Sequence, residues 1–99
     1  MNIQIHSIGF DADKKLLDFI HQKIDKLVKF SDEIISAEVF LRLENVQNNE
    51  NKIAEIKLEI PGNDLFAKKQ SNRFEDATNH VIDALISQLK KRKEKARGI

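Results

Sequence analysis

The sequence predicts an α+β fold, a four-stranded, mainly antiparallel sheet with two helices on one face, in the order β-α-β-β-β-α. Three observations carry this. Polar and apolar residues alternate through residues 2–6 and again through residues 35–44 and 53–60, the period of strands with one buried face. Apolar residues recur at spacings of three and four through residues 16–28 and 74–89, the period of amphipathic helices. Turn formers separate these runs at Gly9, in the Asn-rich stretch Gln47–Asn51 and at Pro61-Gly62-Asn63-Asp64.

The first strand is expected at residues 2–8, ended by Gly9. Asp13 then offers a carboxylate to the free N–H groups of a helix with the stripe Leu16, Leu17, Ile20, Ile24, Leu27 and Val28, which closes at Ser31-Asp32-Glu33. In the second strand Ile35, Ala37, Val39, Leu41 and Leu43 share one face. After the Asn-rich turn, Ala54, Ile56, Leu58 and Ile60 alternate with Ile53, Glu55, Lys57 and Glu59 in a third strand. The Pro-Gly turn leads into a fourth at Leu65–Gln70. Ser71 or Asn72 is placed to cap the second helix, with Glu75 as the reciprocal partner of Asn72. Its stripe is Phe74, Ala77, Thr78, Val81, Leu85 and Leu89; beyond Leu89 the helical pattern continues without apolar residues. Two helices with one stripe each cover a single sheet face. The other face is expected to show Gln4, His6, Phe40, Arg42, Lys57 and Lys68 to solvent.

A chain of 99 residues suits one domain, expected to span 1–99 with a basic helix end and tail at 90–99. Hydrophobic residues at 40% and charged residues at 33% fit a globular protein with a heavily charged surface. No apolar run approaches a membrane span, and Met1-Asn2-Ile3-Gln4 lacks the plan of a signal peptide, so a cytoplasmic location is expected. The absence of cysteine removes disulfides, thiolate metal sites and thiol nucleophiles.

Catalysis finds no support among the residues that remain. His6, His21 and His80 have no metal-ligand spacing and read as surface histidines. Acidic pairs such as Asp32-Glu33 and Glu75-Asp76 fall at turns and helix starts, and the three glycines form no phosphate loop. The expectation is a binding protein with no catalytic residue, metal or cofactor.

Charge distribution is more informative than the net charge of +1. Residues 90–99 hold Lys90, Lys91, Arg92, Lys93, Lys95 and Arg97 against Glu94 alone, a local charge of +5, which leaves −4 on the remainder. One or two cations suffice to complement a helix C-terminus; six suit a polyanion. With no Trp or Tyr and few Phe open to solvent, a stacking platform for single strands is not expected. The element order resembles that of double-stranded-RNA-binding domains with an added leading strand, which favours structured RNA read through shape and phosphates.

Four stretches carry a more specific resemblance: Asn2-Ile3-Gln4-Ile5, Leu16-Leu17-Asp18-Phe19-Ile20, Pro61-Gly62-Asn63-Asp64-Leu65 and Gln88-Leu89-Lys90-Lys91-Arg92-Lys93-Glu94-Lys95. Over essentially its whole length the chain resembles the short bacterial ribosome hibernation promoting factors, also named ribosome-associated inhibitor or sigma-54 modulation proteins. The last stretch is close to the family form Q-L-x-K-H-K-x-K.

The resemblance implies a non-enzymatic translation inhibitor that occupies the mRNA and tRNA channel of the small ribosomal subunit. It would promote ribosome hibernation in stationary phase or stress. Lys90, Lys91, Arg92, Lys93, Lys95 and Arg97 are then the main candidates for ribosomal RNA contacts. Lys14, Lys15, Lys23, Lys26, Lys68, Lys69 and Arg73 are further candidates that equally suit an ordinary solvated surface. Arg92 stands where the family commonly has His; Ala84 and Ser87 stand where members often have basic residues, and Arg73-Phe74-Glu75 replaces an Asp-Met-Tyr helix start. Ending at Ile99, the chain is expected to lack the extra domain by which long members dimerise and to be monomeric off the ribosome; if ribosome dimers form, another factor or a subtler subunit change is expected to be needed. The alternative is a protein-binding regulator that acts through the exposed sheet face.

Overall fold

A computed structural model describes residues 2–44 and 49–96. The chain runs β1 (Asn2–Ile8), α1 (Lys14–Phe30), β2 (Ser36–Leu43), β3 (Lys52–Glu59), β4 (Leu65–Ser71) and α2 (Phe74–Ala96). The expected order and fold class are therefore those of the protein. The strands lie side by side in sequence order, β1 parallel to β2 and the others antiparallel. The expected turn at Gln47–Asn51 falls partly outside the described residues.

Register sorts the side chains. Ile3 and Ile5 lie in rows with Ala37 and Val39, which pair in turn with Leu58 and Ile56 and, through them, with Leu65 and Ala67. This inner face meets Leu16, Ile20, Ile24 and Leu27 of α1 and Ala77, Val81, Leu85 and Leu89 of α2 in one buried cluster. Asp13 caps α1 as expected, its side chain accepting from the Leu16 N–H at 2.9 Å. Gly9 turns the chain from β1 toward α1 at φ +87°, a conformation that strains any side chain. The Phe10 ring stacks on Phe74 with centroids 4.6 Å apart, fixing the start of α1 beside the start of α2.

Three details differ from the sequence reading. Ser71 stays in β4 opposite Lys52, so the strand runs one residue further and delays the second helix. The Asn72 side chain accepts from Ser71 Oγ at 3.4 Å, and the carbonyl of Arg73, not Asn72, accepts the first helical bond, from Ala77. Ile35 and Leu43 bracket β2 beyond the helices' reach and are exposed. Ile53 belongs to the outer row with Arg42 and Gln70, yet it is buried.

Candidate nucleic-acid interface

The basic end is built on α2. Leu85 and Leu89 are the last apolar side chains of its buried stripe. Positions three and four beyond Leu89 continue that face, and there stand Arg92 and Lys93. Arg92 turns inward: its Nε donates to Glu33 Oε2 at 3.0 Å and its terminal nitrogen to the Pro61 carbonyl at 2.8 Å. Lys93 Nζ donates to the Phe30 carbonyl at 2.9 Å and lies 4.5 Å from the centre of the Phe30 ring. That carbonyl closes α1, at the negative end of its dipole, where a cation is favoured.

Magnitudes separate the roles of these contacts. Burying a Leu such as Leu89 contributes about 1.5–3 kcal/mol, whereas an exposed ion pair contributes about 0.2–1 kcal/mol. The stripe holds α2 on the sheet; Arg92 and Lys93 set the direction of its last turns. Lys90 and Lys91 project into solvent and form no ion pair or hydrogen bond with another described residue. Glu94 is exposed among them. Lys95 lies within the helix, and Arg97 falls outside the described residues.

The remaining candidates are dispersed. Lys93 touches the end of α1 while Phe10 and Phe74 join the helix starts, so the two helices run in the same direction. Lys14, Lys15 and Arg73 consequently sit at the opposite end from the basic tract, roughly 25 Å away by the length of α1. All three are exposed, and Arg73 pairs with Glu75 at 3.9 Å. Lys23 Nζ lies over the Phe19 ring at 5.3 Å. Lys26 is exposed one turn before Phe30 and shares an end of the molecule with Lys90 and Lys91. Lys29, in the last turn of α1 and exposed, belongs there too. Sequence reasoning missed it, because only the parallel packing of the helices brings the two C-termini together.

Lys68 and Lys69 point to opposite sheet faces, the former on the outer face at 3.6 Å from Glu55, which also lies 4.0 Å from Arg42. Gln4, His6, Lys57 and Lys68 are exposed on that face, with Phe40 and Arg42 half-buried. His6 stacks on Phe40 at 4.9 Å and lies 2.9 Å from Glu38. Phe66 is exposed on the same face, opposite Lys57 at the far edge of the sheet. Among the described residues no group of three or more His, Asp or Glu side chains is placed to hold a metal ion, and no helix is long and apolar enough to cross a membrane.

The family model described as sigma 54 modulation protein / S30EA ribosomal protein matches residues 3–97. The chain belongs to that family. This S30EA family member is 26% identical over 99 residues to a ribosome hibernation promoting factor of Pseudomonas putida, covering 100% of this chain and 93% of that protein. It is 30% identical over 95 residues to one from Klebsiella oxytoca, covering 96% and 94%. A ribosomal subunit interface protein from Coxiella burnetii has the same fold, with a TM-score of 0.84 over 95% of this chain and 99% of that one at 23% identity.

Proposed function

We propose that this S30EA family member is a ribosome-binding hibernation factor that works by occupancy, without chemistry. It docks on the small ribosomal subunit, fills the channel used by mRNA and tRNA, and holds the ribosome idle in stationary phase or stress. It acts in the cytoplasm and is a monomer off the ribosome. The observation that carries the reading is the end of α2, where Lys90, Lys91 and Lys93 stand on a helix anchored by its buried stripe, over a body of opposite charge. Lys95 and Arg97 extend the same basic run in sequence. Relatives named for ribosome hibernation support the reading.

Co-sedimentation with bacterial small ribosomal subunits over a salt series tests it. Five phosphate contacts, from Lys90, Lys91, Lys93, Lys95 and Arg97, predict a log–log salt slope of roughly −3.5 to −4.5, and a Lys90→Ala, Lys91→Ala, Lys93→Ala variant should show a slope shallower by about 2 to 3. Equal pelleting of variant and wild type at every salt would refute the anchor. A second reading, a regulator that binds another protein through the outer sheet face, has exposed Phe66 in its favour. Wild type that ignores subunits would turn attention to that face.

A further inference from the structure

Within the basic tract Arg92 and Lys93 are both engaged by the body of the protein, and Arg92 the more fully. The Arg92 guanidinium is engaged along two edges, by Glu33 Oε2 at 3.0 Å and by the Pro61 carbonyl at 2.8 Å. Its side chain is only 33% exposed, unlike the open ammonium groups of Lys90 and Lys91. Both partners are held in place. Glu33 follows Ser31, the C-cap of α1, whose buried side-chain oxygen accepts from the Glu33 N–H at 3.3 Å. Pro61 begins the turn that Gly62 completes at φ +85°. Arg92 thus ties α2 to the α1–β2 connection and to the β3–β4 turn, three parts of the chain distant in sequence.

We infer that Arg92 is a positioning residue rather than a phosphate ligand, and that Glu33, an acid beside an RNA-binding surface, assists RNA binding by holding Arg92. An acid in that position looks counterproductive, since it subtracts charge where phosphates are to be bound. Its benefit lies in orientation: a planar guanidinium clamped between a carboxylate and a carbonyl fixes the last turns of the helix, so that Lys90 and Lys91 meet phosphates without first being ordered. The inference rests on the proposed docking to the small subunit.

The sign of one substitution decides the matter. With purified bacterial small ribosomal subunits as the probe, Glu33→Ala should weaken binding about two- to fivefold, the fold-change of an exposed ion pair. If Arg92 were a phosphate ligand restrained by Glu33, the same substitution would remove a repulsive charge, release a cation and tighten binding. Tighter or unchanged binding therefore overturns the inference. Salt slopes supply a readout that a loss of fold alone would not move. Arg92→Ala should weaken binding with the slope retained, while Lys91→Ala should make the slope shallower by about 0.7 to 0.9. A shallower slope for Arg92→Ala returns that residue to the phosphate contacts. Wild type that fails to sediment with subunits at any salt overturns the proposed function, and the inference with it, an outcome distinct from tighter binding by Glu33→Ala.

Discussion

Thr78 lies in the middle of the α2 stripe, fully buried, and its hydroxyl oxygen has no hydrogen-bond partner among the described residues. A buried hydroxyl without a partner loses its water contacts and gains nothing in exchange. Val has nearly the same shape and the same branched Cβ, so Thr78→Val removes the penalty without opening a cavity. We expect it to stabilise the fold by about 1–2 kcal/mol, read as a higher urea midpoint at unchanged m-value. Residues of this kind show how far the sequence could be read. That Thr78 faces inward follows from its spacing of four residues to Phe74, three to Val81 and seven to Leu85. That its hydroxyl lacks a partner depends on neighbours from other elements, which no spacing reveals. Arg92 is a sharper case, because its partners Glu33 and Pro61 are 59 and 31 residues away.

Among the elements, the two helices differ in how firmly their starts are defined. The start of α1 has a single side-chain cap, Asp13, and no acidic residue in its first turn, where Lys14 and Lys15 oppose the helix dipole. Asp13→Ala should therefore cost about 0.5–2 kcal/mol, measured by chemical unfolding, with Asp13→Asn losing less because it keeps the accepting oxygen. The cap of α1 was legible because Asp13 stands three residues before Leu16, the first residue of the apolar stripe. The start of α2 was not, since Ser71 suits two roles and pairing with Lys52 in the sheet prevails over capping. Strand faces were legible wherever a helix covers them; at Ile35 and Leu43 alternation continues past the limits of the packed layer, whereas Ile53 is buried although it lies on the outer face.

For the whole molecule, the long axis extends 47 Å against 25 and 19 Å across, and charge changes sign along α2. The acidic residues of the forward part of α2, Glu75, Asp76 and Asp83, precede its basic end along one helix. Asp83 is exposed two turns before Lys90, about 10 Å along the axis and close to the screening length at physiological salt. Asp83→Asn should raise affinity for an unrelated RNA duplex by no more than about twofold at 0.15 M salt and by more at lower salt, as filter binding would measure. A change that persists at high salt would contradict a long-range origin. The polarity itself was visible in the sequence. The convergence of Lys26 and Lys29 on the same end was not, because it requires knowing that the helices run in one direction.

Gln88, two residues before the first lysine of the basic tract, donates from its side chain to the Phe66 carbonyl at 3.0 Å. Phe66 belongs to β4, an outermost strand of the sheet. The helix turn that leads into the positive segment therefore also occupies a backbone carbonyl of an edge strand, a group that would otherwise be open to pairing with another chain. Peeling back the end of α2 would free that carbonyl next to an exposed Phe ring, so self-association would accompany loss of the proposed RNA binding. Variants at this end should be judged for solubility before their affinities are compared.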